Sequence, residues 1–231
     1  MKYVVFDLNE TLLDTRIIAR CFTNHSMTQE DTLNRFWNKL FDRLQVLAAT
    51  EEFVPFRDVV QGALKDIDEE TAFSCIMKNY PKSGIFDDVS DALIELREHG
   101  ISVVVATNTS PDLVDKLRQV SPLESLVDVW ICVPCSKSLK PSPRSYLYLQ
   151  EELKITDSSD LVFISSHFWD IFAAKKAGIP VIHLSRATIS STSGSEGVRV
   201  VSVPRMSMIL PIVLQLFQDS AQLSLKSKIL S

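Results

Sequence analysis

No stretch of this chain stays apolar long enough to cross a bilayer. The most apolar late run, Met206 to Phe217, is interrupted by Pro211 and falls short of the ~20 residues a spanning helix needs. It reads as a packed helix. A basic arm is missing too. The formal charge is −5, with both signs interspersed, so neither nucleic acid nor a membrane surface is expected as a partner. The start, MKYVVFD, runs straight into a strand pattern without the long apolar stretch and cleavage site of a secretory signal. A cytoplasmic address is therefore expected. Cysteine is scarce: Cys21, Cys75, Cys132 and Cys135 make four. Scattered thiols in such a chain are expected to be reduced and buried. Cys132-Val-Pro-Cys135 has redox spacing. However, Cys132 falls inside the apolar run VDVWICV, not at a helix start that would stabilise a thiolate, so no redox role is assigned.

What is present is an alternation of strand and helix patterns. Apolar runs at Tyr3–Phe6, Ser102–Ala106, Val127–Val133, Leu161–Ile164 and Pro180–Leu184 read as buried parallel strands. Val198–Val203 is a sixth, at an edge. Between them, Asp88–His99, Pro111–Val120, Pro143–Leu153 and Trp169–Ala177 carry helical spacing, with Gly100 and Gly178 as stop signals. This alternation predicts an α/β fold with a doubly wound parallel sheet. One gap breaks it, because the first run ends at residue 6 and the second begins at 102. That is far more chain than a crossover needs. The intervening residues read as helices: Glu30–Ala49, Phe56–Ile67 and Glu69–Tyr80. Residues 15–83 are thus expected to be an inserted helical module over the carboxyl ends of the strands. Ser190–Gly197 is expected to be a mobile polar loop.

Ligands of open parallel sheets bind beyond the carboxyl ends of the strands, and the chemistry-bearing residues fall there. The first strand ends in Asp7, with Asn9 two places on. The second ends in Thr107-Asn108-Thr109-Ser110. Lys140, within SLKPSPRSY, follows the third. The fourth ends in Ser165-Ser166-His167-Phe168-Trp169-Asp170. Singly, each is an ordinary cap or turn residue. Together they put an acid, a hydroxyl–amide pair, a lysine and a second acid along one edge.

Those four segments, VFDLNETLLD, VVVATNTS, SLKPSPRSY and VFISSHFWDIFAAKKAGIPVI, resemble the motifs of the haloacid dehalogenase superfamily, in order and over nearly the whole chain. The resemblance implies a three-layer Rossmann-like core with a mostly parallel sheet, made of residues 1–14 and 84–231. It also implies a helical cap domain, residues 15–83, inserted after the first strand. It makes Asp7 the nucleophile.

Two departures from the phosphatases of that superfamily point to a different chemistry. Where they carry a second acid in the first motif stands Asn9, and an amide cannot act as a general acid. Where they carry an acid four residues before the last Asp stands Ser166, which weakens a Mg²⁺ site. No cofactor is expected. A halide leaves without a proton, so Asp7 attacking a carbon that bears one has no need of the acid. An ester forms and water hydrolyses it. Lys140 then supplies the compensating charge in place of a metal. Thr107, Asn108 and backbone amides bind a substrate carboxylate or an oxyanion, Asp170 orients Lys140 or the water, and His167 polarises that water. The Ser-Ser-x-x-Trp-Asp form of the last motif and the Lys140–Tyr146 spacing resemble the L-2-haloacid dehalogenase branch.

That branch carries a cap arginine directly after a tryptophan, but here Trp37 is followed by Asn38. Either Lys39 or Arg43, on the same predicted helix, takes the role, or the substrate is not a small 2-haloacid. Trp37 is expected to line the pocket. Asn9, Ser165 and Tyr146 complete the candidate substrate contacts. The partner is a small molecule, and a homodimer is an expectation of the resemblance alone. The competing readings are a Mg²⁺-dependent phosphatase, with the metal on Asp7 and Asp170, and a non-catalytic protein that keeps the fold.

Overall fold

The computed structural model describes residues 1–23, 27–186 and 200–229, with side chains as far as Asp219. The polar segment Ser190–Gly197 lies outside the described residues. In chain order the elements are β1 (Tyr3–Phe6), β2 (Leu13–Asp14), α1 (Gln29–Thr50), α2 (Phe56–Lys65), α3 (Phe73–Asn79) and β3 (Gly84–Ile85). Then come α4 (Val89–Glu98), β4 (Ser102–Thr107), α5 (Pro111–Arg118), α6 (Leu123–Leu126), β5 (Val129–Cys132) and α7 (Pro143–Glu152). The chain closes with β6 (Leu161–Ser165), α8 (Phe168–Lys176), β7 (Val181–Leu184), β8 (Val201–Val203) and α9 (Ile209–Ile229).

Six strands form one sheet in the order β5-β4-β1-β6-β7-β8, and every neighbouring pair is parallel. Successive side chains on a strand face opposite ways, and the core follows that period. Val4, Phe6, Val103, Val105, Val162 and Ile164 pack into one apolar cluster, while Val5, Val104, Ala106, Leu161 and Phe163 pack into the other. The first cluster includes residues of α4, α5 and α9, and the second includes Tyr146 and Leu149 of α7 and Ile171 of α8. That makes three layers. Each such buried side chain is worth on the order of 1.5–3 kcal/mol.

β1 lies in the middle, with β4 on one side and β6 on the other. The chain runs from β1 to β4 to β5 on one side and then crosses back to β6 on the other, so the order reverses between β1 and β6. A crevice opens beyond the end of β1, where such a reversal leaves room for a ligand.

Between β2 and β3 the chain is helical. The two short strands pair antiparallel, Leu13 with Ile85 and Asp14 with Gly84, so the outgoing and returning segments are stitched together. α1 starts where Thr28 Oγ1 accepts the Asp31 N–H at 3.1 Å, an N-cap of the kind that satisfies an orphan helix donor. Its buried face is Leu33, Phe36, Trp37, Leu40 and Leu44. It packs on α2, which buries Val59, Val60, Ala63 and Leu64.

The structure corrects several expectations. Cys21 and Cys75 are joined in a disulfide, with their Cα atoms 5.5 Å apart, so the thiols are not all reduced. Cys132 and Cys135 are free, and Cys135 is exposed instead of buried. The third strand is shorter than its apolar run. Val127 is spent as the C-cap of α6, and Val133-Pro134 opens a 3-10 turn. The run Glu69–Tyr80 is three pieces, with 3-10 turns at Glu70–Ala72 and Tyr80–Lys82 flanking α3. α9 extends beyond the expected Met206–Phe217, and Pro211 sits in its first turn, where a missing N–H costs little. Among the described residues no helix is long and apolar enough to cross a membrane.

Candidate active site

β1 delivers Asp7 to the crevice. Its N–H still pairs with Ile164 O at 2.9 Å, after which the chain leaves the sheet in a tight turn. Glu10 adopts a left-handed φ of 56°, a conformation that costs a non-glycine residue roughly 1 kcal/mol. Its carboxylate is buried and accepts from the backbone and hydroxyl of Thr15. Burial pushes its pKa up. The turn brings Thr11 back over Asp7, and Thr11 Oγ1 donates to Asp7 Oδ2 at 3.1 Å. Thr11 Oγ1 in turn accepts from Ser166 N–H at 3.0 Å, which ties β1's turn to the end of β6.

Lys140 is 1 % exposed. Its Nζ donates to Asp7 Oδ1 at 2.8 Å and to Asp170 Oδ2 at 2.7 Å. Tyr146 donates to the other oxygen of Asp170. Burial pushes the Asp170 carboxyl up to about 6, against the opposing pull of Lys140. For Lys140, burial acts to lower the pKa, but Asp170 and Asp7 outweigh it and leave it above the usual lysine range. One lysine nitrogen thus bridges the two acids.

His167 is buried. Its Nε2 lies 3.2 Å from Asn9 O and 3.6 Å from Asp7 Oδ2. A carbonyl only accepts, so Nε2 carries the proton and Nδ1 is the basic nitrogen. Burial lowers its pKa despite the nearby Asp7, and the ring is neutral at pH 7.

The remaining candidates divide. Thr107 is spent locally, donating to Thr109 Oγ1 at 3.0 Å and accepting from Thr109 N–H at 3.1 Å. Asn108, expected to hold substrate, uses its amide to grip the Lys140 backbone in both directions. Ser165 accepts from His167 N–H at 3.1 Å, so it shapes the turn and is not a substrate contact through that hydroxyl. Asn9 stays in the cleft. Its Oδ1 accepts from Tyr80 OH at 2.7 Å.

A narrow cleft beside Asp7 is walled by Trp37, Leu40, Phe41, Phe56 and Trp169, with Asn9 and His167 also lining it. Trp169 stacks on His167 at 5.3 Å between centroids. The buried indole N–H groups of Trp37 and Trp169 have no acceptor among the described residues. Lys39 and Arg43 are not there. Lys39 is exposed near Asp42, and Arg43 forms a forked pair with Asp66 at 2.7 and 2.8 Å. The apolar stripe of α1 turns inward and carries these two cations to the outer face, so neither takes the place of the expected arginine.

Few of the residues present suit a divalent ion. The Lys140 ammonium bridges one oxygen of Asp7 and one of Asp170. Ser166 faces Thr11 rather than supplying a carboxylate. Among the described residues no three His, Cys, Asp or Glu side chains cluster to hold a metal.

The sequence reading missed Thr11, Thr109 and Tyr80 as site residues. Thr11 stood inside the quoted first motif. Tyr80 carried no signal, because only the fold brings residue 80 to residue 9.

The family model for haloacid dehalogenase-like hydrolases matches residues 1–178. The chain belongs to that family. Within it, the chain is 25 % identical over 195 residues to an (S)-2-haloacid dehalogenase of Pseudomonas sp. (strain YL), covering 80 % of this chain and 83 % of the relative. Haloacetate dehalogenase H-2 of Moraxella sp. (strain B) is 24 % identical over 195 residues, covering 80 % of this chain and 86 % of that one. In fold it is similar to an L-2-haloacid dehalogenase from Xanthobacter autotrophicus solved with chloropropionic acid covalently bound. That comparison has a TM-score of 0.76 at 20 % identity and covers 93 % of this chain and 98 % of the other. This haloacid dehalogenase-like hydrolase thus has the fold its sequence motifs implied.

Proposed function

We propose that this hydrolase cleaves carbon–halogen bonds of small 2-haloacid-like substrates without a metal, with Asp7 as nucleophile. The observation that carries this reading is the position of Lys140 Nζ, 2.8 Å from Asp7 and 2.7 Å from Asp170. It gives the acid a cationic partner without a divalent ion. The amide of Asn9, in place of an acid, agrees with a leaving group that needs no proton.

The step balances without a co-reactant other than water. An Asp7 oxygen forms a bond to the substrate carbon, the carbon–halogen bond breaks, and the halide departs with the electron pair. The indole N–H groups of Trp37 and Trp169, without an acceptor among the described residues, are candidate donors to it. Water then adds to the ester carbonyl of Asp7, giving up a proton to His167 Nδ1. The alkoxide leaves and takes that proton as the product hydroxyl. The carboxyl left on Asp7 loses its proton to solvent. Asp170 and Tyr146 hold Lys140 in place throughout. In this reading residues 15–83 act as a cap that shuts the cleft, residues 1–14 and 84–231 form the core, and the protein works in the cytoplasm.

The test is a single turnover of 2-chloropropionate in H₂¹⁸O, followed by mass spectrometry of the Asp7 peptide. Label in Asp7 is expected. Label only in the product hydroxyl would mean that water attacks the substrate directly, and would overturn the nucleophile.

A further inference from the structure

Tyr80 lies in the 3-10 turn after α3 and is 6 % exposed. Its hydroxyl joins a chain of bonds that crosses three segments. Thr107 Oγ1 donates to Thr109 Oγ1 at 3.0 Å, Thr109 Oγ1 lies 2.9 Å from Tyr80 OH, and Tyr80 OH donates to Asn9 Oδ1 at 2.7 Å. Each hydroxyl has one proton to give. Thr107 spends its proton on Thr109 and Tyr80 spends its own on Asn9, so Thr109 donates to Tyr80. The direction of every link is thereby fixed. The last bond has the length of an ordinary O–H···O bond.

The end of the chain is the amide of Asn9. With Oδ1 committed to Tyr80, Nδ2 is left with one long contact, 3.5 Å to Thr109 Oγ1. Asn9 lines the cleft beside Asp7. The sense of that amide decides what a substrate meets. A carbonyl oxygen turned into the cleft would repel a carboxylate oxygen or a departing halide, whereas an N–H attracts either.

We infer that Tyr80 is a positioning residue that locks the Asn9 amide so that its nitrogen, not its oxygen, is offered to an anionic group of the substrate. The ligand class is a carboxylate or halide, an acceptor without a proton. Tyr80 itself belongs to the helical segment over the site, and its hydroxyl couples the seating of that segment to the polarity of the cleft. Burial raises the phenol pKa, so it remains a donor through the working pH range. The inference rests on the proposed hydrolase reading for its kinetic arm only.

The experiment is a double-mutant cycle of Tyr80→Phe and Asn9→Ala, read by 2-chloropropionate turnover and by calorimetric binding of propionate, which has the carboxylate but no leaving group. Tyr80→Phe keeps the ring and removes the donor. It is expected to weaken propionate binding and raise KM about tenfold, the scale of one hydrogen bond, with kcat changed less than about threefold. In the Asn9→Ala background the same change is expected to do nothing further, the signature of action through one partner. Equal losses in both backgrounds, or none in the wild-type background, would overturn the inference. If ¹⁸O never enters Asp7 but the propionate cycle is non-additive, the hydrolase reading falls and the role of Tyr80 stands.

Discussion

Asn108 and Lys140 exchange two hydrogen bonds, the Asn108 amide nitrogen donating to Lys140 O at 2.9 Å and the Lys140 N–H donating to Asn108 Oδ1 at 2.8 Å. The end of β4 thereby fixes the backbone from which the buried ammonium reaches two carboxylates. Asn108→Ala should free that backbone. A displacement near 1 Å at a reacting group costs on the order of 10²-fold in rate, so kcat is expected to fall by about that factor. Two buried backbone groups lose their partners, which costs roughly 1–3 kcal/mol each. Steady-state kinetics with a urea titration would check both. A variant with a raised KM alone would return Asn108 to a substrate-binding role.

Lys140→Met removes the charge and keeps the length. Asp7 and Asp170 then lose their cationic partner while keeping the hydroxyls of Thr11 and Tyr146, and stranding one side of a buried ion pair costs about 3–5 kcal/mol. Activity is expected to drop by about 10³-fold, the upper range for losing one preorganised donor. Lys140→Arg should rescue little, since a planar fork cannot take the place of a compact ammonium. Halide release measured alongside thermal unfolding would reveal an active Met variant, and such a result would remove Lys140 from the chemistry.

The sheet was legible because its strands are β-branched runs whose ends coincide with the polar residues. Asp7, Lys140, His167 and Asp170 were readable for the same reason, each lying just past a strand. What failed were statements about which side chain touches which. Lys39 and Arg43 are near Trp37 in sequence, but the apolar stripe of α1 rotates them outward. Asn108 was read as a substrate contact, and it lines the cleft, but its bond to a backbone 32 residues away carried no sequence signal. The β2–β3 pair, two residues per strand, is too short to show a period. Tyr80 meets Asn9 across 71 residues, a contact that only the tertiary fold creates.

Asp170 must be charged to hold Lys140, and its pKa stands near 6. The rate is therefore expected to fall as the pH drops through about 6. Because this folded pKa lies above the ordinary carboxylate value of 3.8, protonation of Asp170 does not itself favour unfolding. His167 and His183 have the opposite sign. Burial lowers both from 6.5, so their contribution to stability is present above pH 6.5 and lost as the pH falls through their folded values. A pH–rate profile and a series of melting temperatures separate the two. An acid limb that persists in an active Asp170→Asn variant would mean another group controls it.

Metal dependence discriminates between the chemistries the family contains. Lys140 Nζ already supplies a cation to both carboxylates, and position 166 offers a hydroxyl in place of a further acid. Halide release from 2-chloropropionate should be unchanged by EDTA, and added Mg²⁺ should not raise it. Phosphate release from p-nitrophenyl phosphate should stay at background with or without Mg²⁺. EDTA-sensitive phosphate release, abolished by Asp7→Asn, would convert the reading to phosphoryl transfer.

The Cys21–Cys75 bridge closes a loop of 54 residues within the helical segment. Tying that loop restricts the unfolded chain, which the chain-entropy estimate values at about 4 kcal/mol. The bridge joins the 3-10 turn Thr15–Cys21 to α3, the helix that leads into Tyr80. Protein purified without reductant should therefore show two titratable thiols when denatured, and four after reduction. Reduction or Cys75→Ser should lower the melting temperature. Four thiols in the unreduced protein would mean that the pair is open and that packing alone holds the segment over Asp7.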